Sequence, residues 1–298
     1  MVYYDYIKFF IFLYMLISAG GVVKRSIEVY RSNFGNLMRY IGLLFGLGIV
    51  AVITLVIGLA SIIGLQASTA SAGGLLNLVS NISGSFISFL VIWGVLFFLL
   101  SLWLEIAFMR TVSRAVLGQP KISIGEEWKQ SRPLIWRTLG NSIVVALLAI
   151  LPFMIGIIGW VSIRTMSAFG GSVGVFRVLG LLFTLLSIYG FFHMLYFSIR
   201  LCFSTLGIVV DGLGIKEALQ KSSALVKGRW WGILWRILVP VLAILAPYYV
   251  LLFLGQIKGF LGIFFALAAF VYYFFCLFPL AMIPSQVLYV SAKESSTK

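Results

Sequence analysis

The chain has 298 residues, of which 62% are hydrophobic and 10% charged, and carries a net charge of +14. Polar residues are too few to cover a soluble globule of this size, so the composition excludes a water-soluble enzyme or binding module and points to an integral membrane protein. The positive charge lies beside apolar runs, where membrane topology and anionic headgroups account for it, and no nucleic-acid partner is expected.

The first apolar run, Ile7 to Val23, is short and contains Lys8. A retained span, an interfacial helix and a cleaved signal are its three readings. No small-residue cleavage site follows and Lys24-Arg25 come directly after it, which favours membrane insertion. Next comes a basic amphipathic stretch, Ser26 to Arg39, leading into an uncharged run from Tyr40 to Ile63. The run Phe86 to Leu104 precedes a second basic stretch, Ile124 to Arg137, which feeds Leu139 to Trp160. Val178 to Ile199 precedes a third, Ile215 to Arg236, which feeds Ile237 to Gly255, and Gly259 to Ile283 is last. Each uncharged run meets or nearly meets the ~20 residues a helix needs to cross ~30 Å of hydrocarbon. None alternates polar and apolar residues as a barrel strand would, so the expected fold is an all-α polytopic bundle of six or seven spans. Pro152, Pro240, Pro247 and Pro279 fall inside these runs and should kink them.

Of the 22 Lys and Arg, 18 lie in 24–39, 110–137, 200–236 and at positions 293 and 298. This asymmetry places the basic stretches and the C-terminus on the cytoplasmic side of the membrane.

The second and third basic stretches are copies of one unit. Aligned on Ser131 and Ser222, they match Glu126 with Glu217 and bring Arg110 within one position of Arg200, and Trp136 and Trp231 each precede a proline by 16 residues. The copies differ by an insertion of about one helical turn near Val226 to Arg229. A weaker copy surrounds Ser32, so the single membrane domain 1–298 divides into units 7–63, 86–160 and 178–255 and a final span, 259–283. Each basic stretch reads as an elbow helix on the cytoplasmic face. In the third, Ile215, Ala218, Leu219, Ser222, Leu225, Val226 and Trp230 share one side, the pattern of a helix lying in the headgroup plane with its apolar side toward the bilayer.

Two strings carry a family resemblance. The segment Arg200 to Ile233 combines an arginine, the Val210-Asp211 turn with Gly212 or Gly214, the Glu217-Ala218-Leu219 helix start, Ser222 and the Gly228-Arg229-Trp230-Trp231 step. With Glu28 to Leu37 (EVYRSNFGNL), it resembles the glycerophosphoryl diester phosphodiesterase membrane domain and related prokaryotic polytopic membrane proteins. The resemblance implies the membrane domain alone. Relatives fused to a phosphodiesterase barrel owe their hydrolase activity to metal-binding carboxylates and histidines, and this sequence has no counterpart of them.

One His, two Cys and eight acidic residues, scattered over all segments, leave no set of converging metal ligands, and no phosphate loop or nucleophile motif is present. No enzyme, catalytic residue, metal or cofactor is expected. Cys202 and Cys276 read as small apolar residues. The candidate polar positions are Glu105, Arg110, His193, Arg200, Asp211, Glu217 and Ser222, since ionisable groups at membrane depth mark function unless paired within protein. The alternative is that Glu105 pairs with Arg110, Arg114 or Arg200 and that His193 hydrogen-bonds within the bundle. Lys221, Lys227, Arg229, Trp230 and Trp231 are the candidate contacts to anionic lipid headgroups, the expected partners besides further membrane proteins or a second copy. These features suggest a protein that engages headgroups or organises membrane proteins. The rival is a permease for a small molecule or lipid, which requires a cavity faced by Glu105, His193 or Arg200.

Overall fold

A computed structural model describes residues 16–69, 75–168 and 173–296. It is all-helical, with no strand among these residues, and six of its helical stretches are long and apolar enough to cross a membrane. In chain order these residues form α1 (Ala19–Thr69), α2 (Leu75–Val116), α3 (Ile124–Ser131) and a 3₁₀ turn (Arg132–Leu134). Then come α4 (Ile135–Ala168), α5 (Val173–Arg200), α6 (Ser204–Asp211), α7 (Ile215–Val226) and α8 (Trp230–Leu254). Last are α9 (Phe260–Tyr272), a π-helical turn (Tyr273–Leu277) and α10 (Phe278–Ser296).

The N-terminal candidate span falls largely outside the described residues. Of it, Leu16 to Val23 are seen, and Leu16, Ile17 and Ser18 are not helical. Ser18 starts α1, its Oγ accepting from Gly21 N–H at 3.1 Å, so one unbroken helix from Ile7 to Val23 is not formed. Ile17 is held at both backbone ends: its N–H donates to Ser291 Oγ (3.1 Å) and its carbonyl accepts from Arg236 Nε (2.6 Å).

The first basic stretch is not a separate elbow. It is the leading part of α1, 51 residues or about 76 Å long. No proline interrupts the sequence from Ala19 to Tyr40, and Gly35 faces open space, so nothing ends the helix there. The other two elbows are distinct helices, and Glu126 and Glu217 occupy the same third helical position in them. In α3 the Ser123 side chain accepts from Glu126 N–H (3.2 Å); in α7 Gly214 N–H donates to Glu217 Oε2 (3.1 Å). The insertion forms a break at Lys227-Gly228-Arg229, where Gly228 has φ +75°, a conformation a Cβ would strain. The middle copy instead runs through the 3₁₀ turn directly into α4.

The apolar side of the third elbow meets protein rather than the bilayer. Ala218, Ser222, Leu225 and Val226 are buried, and Ile215 packs against Gly140 of α4. Leu225 and Val226 belong to a core beyond the uncharged runs, built around Val22, Leu37, Phe108, Phe203, Leu288 and Tyr289, while Ala218 and Ile215 pack in a smaller cluster with Ile106, Leu134 and Ile208. The spans themselves expose most of their large apolar side chains. The division has a physical cause: burial removes apolar area from water only outside the hydrocarbon, whereas lipid tails are as apolar as leucine.

Within the membrane the spans pair as antiparallel hairpins. In α1–α2, Trp93 Nε1 donates to Thr54 Oγ1 at 3.1 Å. In α4–α5, Gly156 faces the Ser187 backbone and Gly190 faces Phe153 and Pro152, so both helices approach through missing side chains.

Helical structure continues through Pro152, Pro240 and Pro247, and departs to the π turn just before Pro279. Pro279 has no N–H to give to the Phe275 carbonyl, and Tyr30 Oη donates to that carbonyl instead, at 2.5 Å.

Candidate functional site

Glu105 is about eight turns into α2, on the segment that reaches the buried core. Its neighbours on the same helix are apolar apart from Ser101, whose hydroxyl donates to the Phe97 carbonyl, so its carboxylate depends on other elements for partners. None of the described basic groups provides one. Arg110 and Arg114 turn to the second elbow, α3: Arg110 Nε donates to Glu127 Oε2 at 3.1 Å, and Arg114 Nε lies 2.6 Å from Glu127 Oε1. Both guanidinium groups also donate to Gln130 Oε1, at 2.7 and 3.1 Å. Arg200 donates to Ser223 Oγ (2.7 Å) and lies over the Tyr196 ring, 5.7 Å from its centroid. The expected pairing of Glu105 is therefore not formed.

Glu105 instead lines a cavity of about 240 Å³ where α2, α4, α6 and α10 meet. Thr138, Ser142, Thr205, Ser285 and Gln286 supply its other polar groups. Gln286 is 2% exposed; its Oε1 accepts from Ser113 Oγ at 2.7 Å and its Nε2 has no partner. In either orientation of the amide, one polar end of this side chain is left without a protein partner. Thr138, also 2% exposed, has an unpartnered hydroxyl. Beside the cavity, buried Asn141 donates to Ser204 and Thr205 hydroxyls, both at 3.1 Å, which fixes α4 against α6. Buried polar groups without partners are uncommon and costly, about 1–3 kcal/mol each, and two of them belong to residues that line the same cavity as Glu105.

Known protein families, curated proteins and solved structures contain no match to this chain.

The remaining candidates lie elsewhere. His193 stacks on Phe197 in α5, with ring centroids 4.5 Å apart; its buried Nδ1 has no partner, so the expected hydrogen bond within the bundle is absent at that atom. Neither His193 nor Arg200 lines the Glu105 cavity. Ser222 ties the third elbow to the break between α5 and α6, donating to Arg200 carbonyl (2.9 Å) and accepting from Phe203 N–H (3.1 Å). Glu217 caps its helix, as described above.

Asp211 joins three elements. It accepts from Lys221 Nζ (2.5 Å), Tyr289 Oη (2.5 Å) and Lys293 Nζ (2.8 Å), just before Gly212 ends α6 at φ +69°. Asp211→Ala should lower stability by about 2 kcal/mol, because Tyr289 and Lys221 lose a charge-assisted partner whereas exposed Lys293 regains water. Thermal unfolding of the purified protein measures it.

Of the candidate headgroup contacts, Lys221 is engaged by Asp211, and Arg229 is buried and donates to Ser295 Oγ at 2.6 Å. Burial draws the Arg229 guanidinium below its usual pKa. Trp230 Nε1 donates to the Tyr196 carbonyl (3.2 Å). Lys227 is exposed, as are Trp231 (67%) and its repeat counterpart Trp136 (69%).

The sequence reading missed Glu127 and the cavity wall. Glu127 had a signal: a second acidic residue beside Glu126, one elbow turn from several arginines. The wall had none, being a few polar residues in three separate elements, α4, α6 and α10.

Proposed function

We propose that the chain is a multi-pass membrane protein that admits a small polar solute to the Glu105 cavity, as a permease does, and that it performs no chemistry on it. The observation that carries this reading is the unpaired Glu105 carboxylate facing a polar cavity within a helical membrane protein. The resemblance to the glycerophosphoryl diester phosphodiesterase membrane domain, a cytoplasmic placement of the basic end and a prokaryotic plasma membrane are parts of the same proposal.

The headgroup reading is narrowed by it. Lys221 and Arg229 hold the fold together, while Lys227, Trp136 and Trp231 are free to meet anionic lipid and seat the molecule at its basic end.

The full chain reconstituted in phosphatidylethanolamine–phosphatidylglycerol liposomes tests the reading by osmotic swelling with ethanolamine, acetamide and glycerol. Entry of at least one solute should exceed that of protein-free liposomes and fall about tenfold or more in Glu105→Gln. Swelling no faster than in protein-free liposomes for every solute, or unaffected by Glu105→Gln, overturns it.

A further inference from the structure

We infer that the solute of this cavity is a small primary ammonium carrying a neutral hydrogen-bonding group, an amino alcohol in the simplest case. The inference rests on the solute-binding reading above and adds the chemical class.

The sign comes from the lining. Glu105 is its one acidic residue, and no Lys, Arg or His accompanies it. The nearby guanidinium groups are turned away, Arg110 and Arg114 to Glu127 and Arg200 to Ser223. A carboxylate at this depth with no protein counter-charge calls for a cation. A zwitterion or a phosphate would bring an anionic end that finds no positive partner in the wall.

The size and donor set exclude a bare metal ion. Divalent hard cations need several carboxylates or carbonyls converging at 2.0–2.6 Å, and Glu105 is the one carboxylate in the wall. A volume of about 240 Å³ corresponds to roughly eight waters, far more than a bare ion fills. An ammonium has three donors, which suits a carboxylate flanked by hydroxyl oxygens.

The second pole comes from Gln286 and Thr138. Thr138 Oγ1 and Gln286 Nε2 are covered by the wall, and a small turn of either side chain presents it to a ligand that hydrogen-bonds without charge, such as a hydroxyl that both donates and accepts. Leu102, Ile106 and Met282 offer an apolar wall for the methylenes between the two ends.

Calorimetric titration of the purified full chain in mild detergent tests this with ethanolamine, methylammonium, glycine and glycerol as probes. Ethanolamine should bind saturably, methylammonium about tenfold more weakly for want of the hydroxyl, and glycine and glycerol more weakly still. Glu105→Gln should weaken ethanolamine about tenfold or more. Where that variant does not fold, Thr138→Val and Gln286→Leu keep the carboxylate: preference for ethanolamine over methylammonium should shrink while preference over glycerol persists. Stabilisation by short-chain phosphatidylethanolamine but not by free ethanolamine overturns the inference, since that headgroup is a zwitterion whose phosphate has no positive partner in this wall. Glycerol or glycine binding as tightly as ethanolamine overturns the ammonium class while leaving a solute cavity. No saturable binding of any probe overturns both.

Discussion

Replacing Glu127 with alanine should cost about 3 kcal/mol, the lower end of the range for breaking a buried ion pair. Glu127 is 1% exposed and holds two arginines, whose side chains are 20% and 24% exposed, so water compensates them only in part. Without the carboxylate, Arg110 and Arg114 share Gln130 as their remaining acceptor and repel each other across it. The elbow α3 should then detach from α2, and the Trp103 Nε1 bond to the Trp128 carbonyl (2.9 Å) should go with it. Thermal unfolding measures the loss, and tryptophan fluorescence reports the separation of the Trp103–Trp128 ring pair. Replacing all three charges together, Arg110→Met, Arg114→Leu and Glu127→Leu, should cost far less than Glu127→Ala, because no charge is left unpaired. A triple variant as unstable as the single one would show that the charges do more than satisfy each other.

Gly190→Val should cost about 1–3 kcal/mol through overpacking in the α4–α5 hairpin. A Cβ at Gly190 would stand 2.6 Å from Phe153 Cα and 2.9 Å from the Pro152 carbonyl carbon, so backbone must move rather than a flexible side-chain end. Gly156 makes the same approach from the other helix, its Cβ position 2.7 Å from Ser187 Cα. Since either valine pushes the same two helices apart, the Gly156→Val, Gly190→Val double variant should lose less than the sum of the singles. Melting temperatures of the four proteins close that cycle; full additivity would mean that the two contacts are independent.

The spans were legible because an uncharged run of about twenty residues has one solution in a bilayer. The second and third elbows were legible for a local reason: a glutamate at the third helical position and an apolar face at helical spacing survive in both copies. The first elbow was misread because amphipathicity reveals a helix but not its independence. Only a breaker such as Pro133 or Gly228 divides an elbow from the span it feeds, and the stretch before Tyr40 has none. From Ile215 to Val226 the third elbow does form one apolar face, whereas Trp230 lies past the break and starts α8; a face toward lipid and a face toward protein look alike in sequence. Glu105 stood out as a carboxylate at depth. Its surroundings did not, since Thr138, Ser142, Thr205 and Gln286 are ordinary residues until tertiary structure gathers them.

The double backbone anchorage of Ile17 sets the order in which this molecule assembles. Its two partners, Arg236 and Ser291, follow it by 219 and 274 residues. Synthesis delivers the α1–α2 hairpin and then the α4–α5 hairpin long before either anchor exists, and each hairpin can close locally as it enters the bilayer. The start of α1 must wait, its apolar residues Leu16 and Val22 uncovered, until α10 arrives to wall them in. Assembly therefore runs in two kinetic stages, early insertion of paired helices and a late, long-range closure, and it is the interval between them that leaves the nascent chain open to chaperones and proteases.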